Sequence, residues 1–273
     1  MKRTKSYLLL LILLASGSTA LAQTEYPALV RTTPLASGEA VNAKRTAPLS
    51  AEAINNVGCR YTDAEQYEKA IEQFKLAISL KPELFPAHNN LGFVYAQVGR
   101  SIEALAAFKE AARLAPTNAK AQYNLGYTYF EMDQPEEALK ALHLSLTLKP
   151  DYDDAHNQLG SVYEKLGRRK EAFKHIREAV RINPQNALAF NNLGVVHSNA
   201  GQYEEAVKIL RRAVELKPDL ALAHYNLGLV YVSMKNKRAA AEVHATLKGL
   251  DSELGKKLFE EIHYDKILNA SRK

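Results

Sequence analysis

The stretch NNLGFVYAQVGRSIEALAAFKEAARLAP, residues 89–116, decides the fold, because its pattern recurs along the chain. An apolar residue precedes a glycine, a tyrosine follows three residues later, and then come an alanine, a phenylalanine four residues after it, and a proline. The matching glycines recur every 34 residues, at Gly58, Gly92, Gly126, Gly160, Gly194 and Gly228. The matching alanines run from Ala70 to Ala240 in the same steps. A fixed period of this length predicts a tandem array of similar structural units.

The pattern within each unit predicts two helices joined by a short turn. In the second unit, the first helix is expected over Pro86–Val98 and the second over Ser101–Leu114. Gly99 lies at the break between them, as Gly167 and Gly201 do in later units, where a left-handed residue commonly ends a helix. Neither helix buries its apolar face alone, so we expect neighbouring units to stack on one another.

These residues resemble the tetratricopeptide repeat, which has the same length and the motifs L-G-x-x-Y and A-x-x-x-F before a proline. The resemblance implies an all-α fold, a right-handed superhelical α-solenoid of six tandem helix-turn-helix repeats whose first helices line a concave face. The repeats are expected at residues 51–84, 85–118, 119–152, 153–186, 187–220 and 221–252. Residues 253–273 are expected to form a capping helix and a tail, because Leu254, Leu258 and Ile262 share one helical face. Partner binding by this helix is the alternative.

The first 22 residues have the layout of a secretory signal peptide. Lys2, Arg3 and Lys5 precede an apolar run that is too short to span a bilayer, and small residues suited to cleavage follow it. We therefore expect an exported protein, periplasmic in a Gram-negative cell or secreted, with a membrane anchor as the alternative. Residues 23–50 hold three prolines and no periodic pattern, which predicts a flexible N-terminal arm.

Charge and motifs argue against nucleic-acid binding and catalysis. The chain has 36 Lys and Arg against 30 Asp and Glu, and three of its six net positive charges belong to the signal segment. A remaining charge of this size is small for a nucleic-acid partner. The sequence has no phosphate-binding loop and neither the GxSxG nor the HExxH motif. We therefore expect no enzyme activity and no cofactor.

The histidines and the single cysteine do not indicate a metal or redox site. His88, His156 and His224 recur at one repeat position and are expected to pack between helices, while His175 and the others show no ligand spacing. Cys59 is the single cysteine, so no intramolecular disulfide can form. A catalytic role for Cys59 is unsupported, and a small packed or exposed thiol is expected.

An amide side chain precedes each repeat glycine by two residues. The series is Asn56, Asn90, Asn124, Gln158, Asn192 and Asn226. An amide both donates and accepts hydrogen bonds, so such a ladder suits the backbone of an extended peptide. Similar asparagine ladders line the repeats of O-linked N-acetylglucosamine transferases, and the resemblance implies the same use here. Hydrogen bonding between neighbouring helices is the alternative.

Aromatic residues beside the ladder are further candidates for the peptide site. Phe93, Tyr123 and Tyr127 lie close to the amide positions and are expected to anchor a partner, with core packing as the alternative. A clamp for a terminal carboxylate is not expected, because Cys59 and Phe93 occupy two of the positions that would carry it and the basic pair is missing.

The combined pattern favours a non-catalytic scaffold that binds extended peptide segments or partner surfaces in the concave groove. The expected partners are proteins or peptides, with no nucleic acid and no integral membrane segment after signal cleavage; a homo-oligomer is also possible. Two alternatives remain. One is an accessory or targeting subunit for a separate enzyme such as a glycosyltransferase, and the other is a self-assembling structural protein.

Overall fold

A computed structural model describes the backbone of residues 49–270 and the side chains of residues 49–263. In this part of the chain the regular secondary structure consists of thirteen α-helices and no strand. The all-α fold class is therefore confirmed. The predicted signal peptide over residues 1–22, and the predicted arm over residues 23–50 apart from its last two residues, lie outside the described residues.

Twelve of the helices form six helix-turn-helix pairs that begin every 34 residues. The first helices are α1 (Ala51–Asp63), α3 (Phe85–Gln97), α5 (Ala119–Glu131), α7 (Asp153–Lys165), α9 (Ala187–Asn199) and α11 (Ala221–Ser233). The second helices are α2 (Tyr67–Leu80), α4 (Ser101–Leu114), α6 (Pro135–Leu148), α8 (Arg169–Ile182), α10 (Tyr203–Leu216) and α12 (Lys237–Leu250). A further helix, α13 (Ser252–Ala270), follows the last pair. In the second pair, the second helix lies where the sequence predicts it, and the first begins and ends one residue earlier.

Left-handed residues separate the two helices of each pair. Gly99, Gly167 and Gly201 have φ angles of 75°, 72° and 76°, a conformation that glycine adopts without steric cost. Asp133 takes the same role in the third pair with a φ of 59°, and Pro135 then opens α6. The missing N–H of a proline costs nothing in the first turn of a helix. The predicted helix ends are thus confirmed at these positions.

Each of the first five pairs is held by one large apolar side chain that packs against the repeat glycine. These fully buried side chains are Phe74, Phe108, Leu142, Ile176 and Leu210. A Cβ atom added to Gly92 would lie only 2.9 Å from ring atoms of Phe108. The small residue therefore sets the close approach of the two helices, and any larger residue would push them apart.

The sixth pair obtains its large apolar residue from α13 instead. His244 stands where the other pairs have phenylalanine, leucine or isoleucine, and Leu258 of α13 fills the space against Gly228. Leu258 is fully buried and Ile262 is 8% exposed, and α13 packs on both α11 and α12. Helix α13 therefore covers the end of the last pair, as the capping prediction requires.

The described chain divides at Pro150 into two compact units. Helices α1–α6 belong to the first unit and α7–α13 to the second. Inside each unit the second helix of one pair packs on the first helix of the next, as α2 does on α3 and α8 on α9. Each unit is thus a short α-solenoid. Among the described helices, none has the length and apolar character needed to cross a membrane.

Candidate functional site

The amides that precede the repeat glycines form hydrogen bonds between successive first helices. In the first unit, Asn90 Nδ2 donates to Asn55 Oδ1 at 3.1 Å, which joins α3 to α1. Asn124 Nδ2 donates in the same way to Asn89 Oδ1 at 2.7 Å, which joins α5 to α3. Both donors and both acceptors are at most 2% exposed. The bonds therefore link helices inside the structure.

The second unit repeats this arrangement. Asn192 Nδ2 donates to Asn157 Oδ1 at 2.9 Å, and Asn226 Nδ2 donates to Asn191 Oδ1 at 2.8 Å. In all four bonds the donor lies 35 residues after the acceptor, one repeat and one residue further along the chain. We call these side chains the amide ladder.

The structure places the predicted peptide-binding amides in the inter-helix arrangement that the sequence left as the alternative. Their exposures are 9% for Asn56, 0% for Asn90, 2% for Asn124, 8% for Gln158 and 3% for Asn226, and Asn192 is half-buried. Peptide binding by these residues stays a prediction. It now has to involve the amide atoms that the ladder bonds leave unused.

The predicted aromatic residues are mostly packed. Tyr123 and Tyr127 lie one turn apart on α5 with ring centroids 6.3 Å apart, and they are 7% and 8% exposed. Phe93 is half-buried. Cys59 is fully buried, with Asn90 Nδ2 at 3.4 Å from its sulfur. The thiol is therefore the packed one of the two expected forms.

Buried polar side chains are concentrated on the first helices. The sixteen in the described residues are Asn55, Asn56, Thr62, Asn89, Asn90, Gln122, Asn124, Thr128, Ser145, Gln158, Ser161, Glu164, Asn191, Ser198, His224 and Asn226. Only Ser145 lies on a second helix, and its hydroxyl donates to the carbonyl of Ala119 at 2.7 Å. We call the side of the first helices that carries the other fifteen the first-helix face.

Several polar atoms on this face lack a hydrogen-bond partner among the described residues. They are Asn124 Oδ1, Gln158 Nε2, Glu164 Oε1 and Oε2, Ser198 Oγ, Asn199 Nδ2 and Asn226 Oδ1. Within residues 49–263, the second helices contribute no buried side-chain atom of this kind. Folded proteins pair the great majority of their buried polar groups, so the first-helix face retains unused hydrogen-bonding groups.

Comparison with known families agrees with this architecture. The profile of the cilia and flagella-associated protein 70 C-terminal domain, a tetratricopeptide-repeat region, matches residues 13–260. The chain belongs to this tetratricopeptide-repeat family. Among curated proteins, none matches the sequence significantly.

Solved tetratricopeptide-repeat (TPR) proteins share the fold. A chain of the APC/C hetero-tetramer Cut9-Hcn1 aligns with a TM-score of 0.71 at 21% identity, over 78% of this chain and 42% of that one. PilW, described as a widely conserved type IV pilus biogenesis factor, aligns with a TM-score of 0.69 at 20% identity, over 78% and 100%. MamA aligns with a TM-score of 0.53 at 27% identity, over 59% and 95%. The TPR protein described here thus spans less than half of the Cut9-Hcn1 chain that it matches.

Glu164 is the one ionisable side chain among the unpaired groups of the TPR first helices. It is 3% exposed near the end of α7, and neither carboxylate oxygen has a hydrogen-bond partner with normal distance and angle. Burial raises the pKa of the Glu164 carboxyl, while the charge of Arg169 and the nearby Asn199 amide oppose this shift. A carboxyl in this setting gains from any donor that a ligand brings to it.

The sequence contained a signal for Glu164 that the motif search did not use. The residues four positions after the repeat glycines are Thr62, Ala96, Phe130, Glu164, Ser198 and Val232. Glu164 is the one acid in this series of otherwise uncharged residues. A charge at a position that is buried in the neighbouring repeats is an exception that requires an explanation.

The histidines also form one pair that their spacing does not suggest. His88 and His224 each place Nε2 at 2.8 Å from the carbonyl of the proline six residues earlier, as expected for packed side chains. His156 Nδ1 lies 3.0 Å from His175 Nδ1, although 19 residues separate them. Tyr163 stacks on the His175 ring with centroids 5.5 Å apart. Within residues 49–263, no group of three or more histidine, cysteine or acidic side chains is arranged to hold a metal ion.

Proposed function

We propose that this TPR protein is a non-catalytic scaffold that binds extended peptide segments or partner surfaces on the first-helix face. The observation that carries the proposal is the location of the unpaired buried polar atoms, which all lie on first helices. A buried polar group without a partner costs about 1–3 kcal/mol. A ligand that supplies the missing partners recovers this cost, so the same atoms that destabilise the free protein favour binding.

The unused atoms match the groups of a peptide backbone. Asn124 and Asn226 donate through Nδ2 within the ladder, and each leaves Oδ1 without a partner. These oxygens accept from a backbone N–H, while Gln158 Nε2 donates to a backbone carbonyl. Contacts of this kind recognise the main chain and tolerate different side chains in the partner.

The amide ladder explains how one set of side chains serves both packing and binding. Each bond between neighbouring first helices uses one hydrogen of an amide and one lone pair of the next. An amide has two donor hydrogens and two acceptor lone pairs. The ladder therefore fixes the orientation of the amides before a ligand arrives, which reduces the entropy lost on binding.

The proposal includes an exported location. The positive segment, short apolar run and small residues at the cleavage position support a signal peptide over residues 1–22. N-terminal sequencing of the protein recovered from the native cell tests this. Gln23 as the first residue supports the export proposal, and an intact N-terminal segment contradicts it.

Site-specific photocrosslinking tests the binding face without removing any ladder residue. A photoreactive amino acid placed at Gln97 or Lys165 lies seven residues after a ladder amide, on the same side of α3 or α7. Both positions are half-buried. The matched controls are exposed positions on second helices, Glu72 of α2 and Lys208 of α10.

The expected result is that adducts with a second protein form from the first-helix positions and not from the controls. Mass spectrometry of the adduct then identifies the partner segment. Adducts of equal yield from both sets of positions, or adducts from the second helices alone, would contradict binding on the first-helix face.

A further inference from the structure

A row of positive side chains lies on the outer side of α8. Lys170, Lys174, Arg177 and Arg181 are spaced by four, three and four residues, so they share one face of the helix. All four are exposed. The row is about 16 Å long, at a rise of about 1.5 Å per residue. We call these four side chains the basic stripe.

No other second helix carries a comparable row. The same positions hold Glu68, Glu72, Lys75 and Ser79 in α2; Ile102, Ala106, Lys109 and Arg113 in α4; Glu136, Lys140, His143 and Thr147 in α6; Glu204, Lys208, Arg211 and Glu215 in α10; and Arg238, Glu242, Ala245 and Lys248 in α12. None of these sets has more than two cations. The basic stripe is therefore a departure from the repeat pattern and is not required by the TPR fold.

The charge of the whole chain is concentrated at this helix. Residues 168–182 contain six Lys and Arg and two Glu, a net charge of +4. Residues 23–273 together have a net charge of +3, so the remainder of that segment is slightly negative. A protein of nearly balanced charge thus presents one local positive surface, which is the arrangement that steers an oppositely charged partner.

The acidic residues of α8 leave most of the stripe available. Glu171 pairs with Arg168 at 2.8 Å, and Glu178 pairs with Arg181 at 2.6 Å. Among the described residues, Lys170, Lys174 and Arg177 have no ion-pair partner within 4.0 Å. Three exposed cations therefore form a row whose members are one helical turn apart.

We propose that the basic stripe is a docking surface for an acidic, extended segment of a partner protein. Neighbouring stripe residues are about 4.5–6 Å apart along the helix axis. Alternate side chains of an extended peptide are about 6.6–6.8 Å apart, so carboxylates at every second position come into register with successive cations. This surface lies on a second helix, and it is independent of the first-helix face.

The surroundings of the stripe favour a protein partner over a lipid surface or a nucleic acid. The exposed large apolar residues of the described chain are Leu49, Leu76, Leu80, Ile102, Leu144, Leu250 and Phe259, and none lies on α8. A helix that binds a membrane surface needs apolar side chains that enter the lipid. A surface that binds single strands of nucleic acid needs exposed aromatic rings on which bases stack.

The test measures binding of a synthetic peptide in which glutamate alternates with serine. The test variant combines Lys170→Glu, Lys174→Glu and Arg177→Glu. The control variant combines Lys69→Glu, Lys109→Glu and Lys140→Glu, which changes the net charge equally at exposed positions of α2, α4 and α6. We expect the test variant to lose affinity by about tenfold or more and the control variant to keep it.

Further arms keep the result interpretable. A second test variant with glutamine at Lys170, Lys174 and Arg177 avoids new repulsion beside Glu171 and Glu178, and it is expected to lose affinity while keeping the helical circular dichroism of the parent. An equal loss in the control variant overturns the proposal, because net charge alone would then explain binding. Tighter stripe-dependent binding to phosphatidylglycerol-containing vesicles or to a single-stranded oligonucleotide than to the peptide also overturns it.

Discussion

The first and second helices of each TPR pair bury different chemistry. In α8 the buried side chains are Ala172, Ile176 and Ala179, all of them apolar. In α7, its partner in the same pair, the buried side chains include Gln158 and Glu164. Apolar burial is not directional, whereas a hydrogen bond requires a defined distance and angle. The second helices therefore supply the packing energy, and the first helices fix how one repeat is oriented on the next.

The same contrast separates the two proposed binding surfaces. The first-helix face presents uncharged amides and one buried carboxyl, which suit a peptide backbone that enters the interior of the stack. The basic stripe presents exposed charges, which suit a partner that stays at the surface and whose binding weakens with salt. Substitutions on the two kinds of helix are expected to differ in size and in their dependence on pH and salt.

The largest effect is expected for an apolar contact of a second helix. Phe108→Ala removes a fully buried ring that packs against Gly92, and it should lower the free energy of unfolding by about 3–5 kcal/mol. Urea denaturation followed by helical circular dichroism measures this. Phe259→Ala is the matched control, because that ring is 47% exposed. Similar losses for both variants would contradict the importance of the glycine contact.

A smaller effect is expected for the amide ladder. Asn226→Ala removes a donor and leaves Asn191 Oδ1 buried without its partner, so the free energy of unfolding should fall by about 1–3 kcal/mol. The double variant with Asn191→Ala completes a thermodynamic cycle, and we expect a coupling energy of about 1 kcal/mol between the two sites. Strictly additive effects would show that the ladder bond contributes nothing of its own.

The fold was predictable because its determinants repeat at a fixed spacing. Gly92 and Phe108 lie in one helical pair, so a local pattern records their contact and its recurrence identifies every other pair. Leu258 was recognised as part of an apolar helix face, but its contact with Gly228 was not. That contact replaces a periodic residue, His244, with one from outside the repeats, and a search by period cannot detect such a replacement.

The candidate site was predictable only in part. The amides were recognised by their spacing, but whether Asn90 turns toward a ligand or toward Asn55 depends on how closely successive first helices pack. The contact between His156 and His175 joins two different positions of one repeat, so periodicity gives no information about it. Glu164 was missed because a single exception in a series carries no pattern of its own.

Glu164 is expected to make the stability of the protein depend on pH. Burial raises its pKa in the folded protein above the ordinary value of 4.5, so the folded state holds the proton more tightly than the unfolded state. Stability is therefore greatest below that value and falls as the pH rises through the raised pKa. Arg169 and Asn199 face the carboxyl and limit the shift without reversing it.

The variant Glu164→Gln removes this dependence. Its free energy of unfolding at neutral pH should exceed that of the parent by about 1 kcal/mol, because no charge has to be buried. The difference should shrink as the pH approaches 4.5, where the parent carboxyl becomes neutral. Urea denaturation of both proteins over a pH series measures this, and a difference that stays constant with pH would contradict the assignment to Glu164.

The smallest effect is expected on the outer side of a second helix. Arg113 pairs with Glu110 at 2.6 Å, but the arginine side chain is 66% exposed, so water and salt screen the pair. The arginine still lowers the pKa of the Glu110 carboxyl, which shows that the charges interact. Exposed pairs contribute little to stability, so Arg113→Ala should leave the urea midpoint unchanged within error. A midpoint shift as large as that of Asn226→Ala would mean that the second helices also depend on polar contacts, and the division of roles between the two helices would not hold.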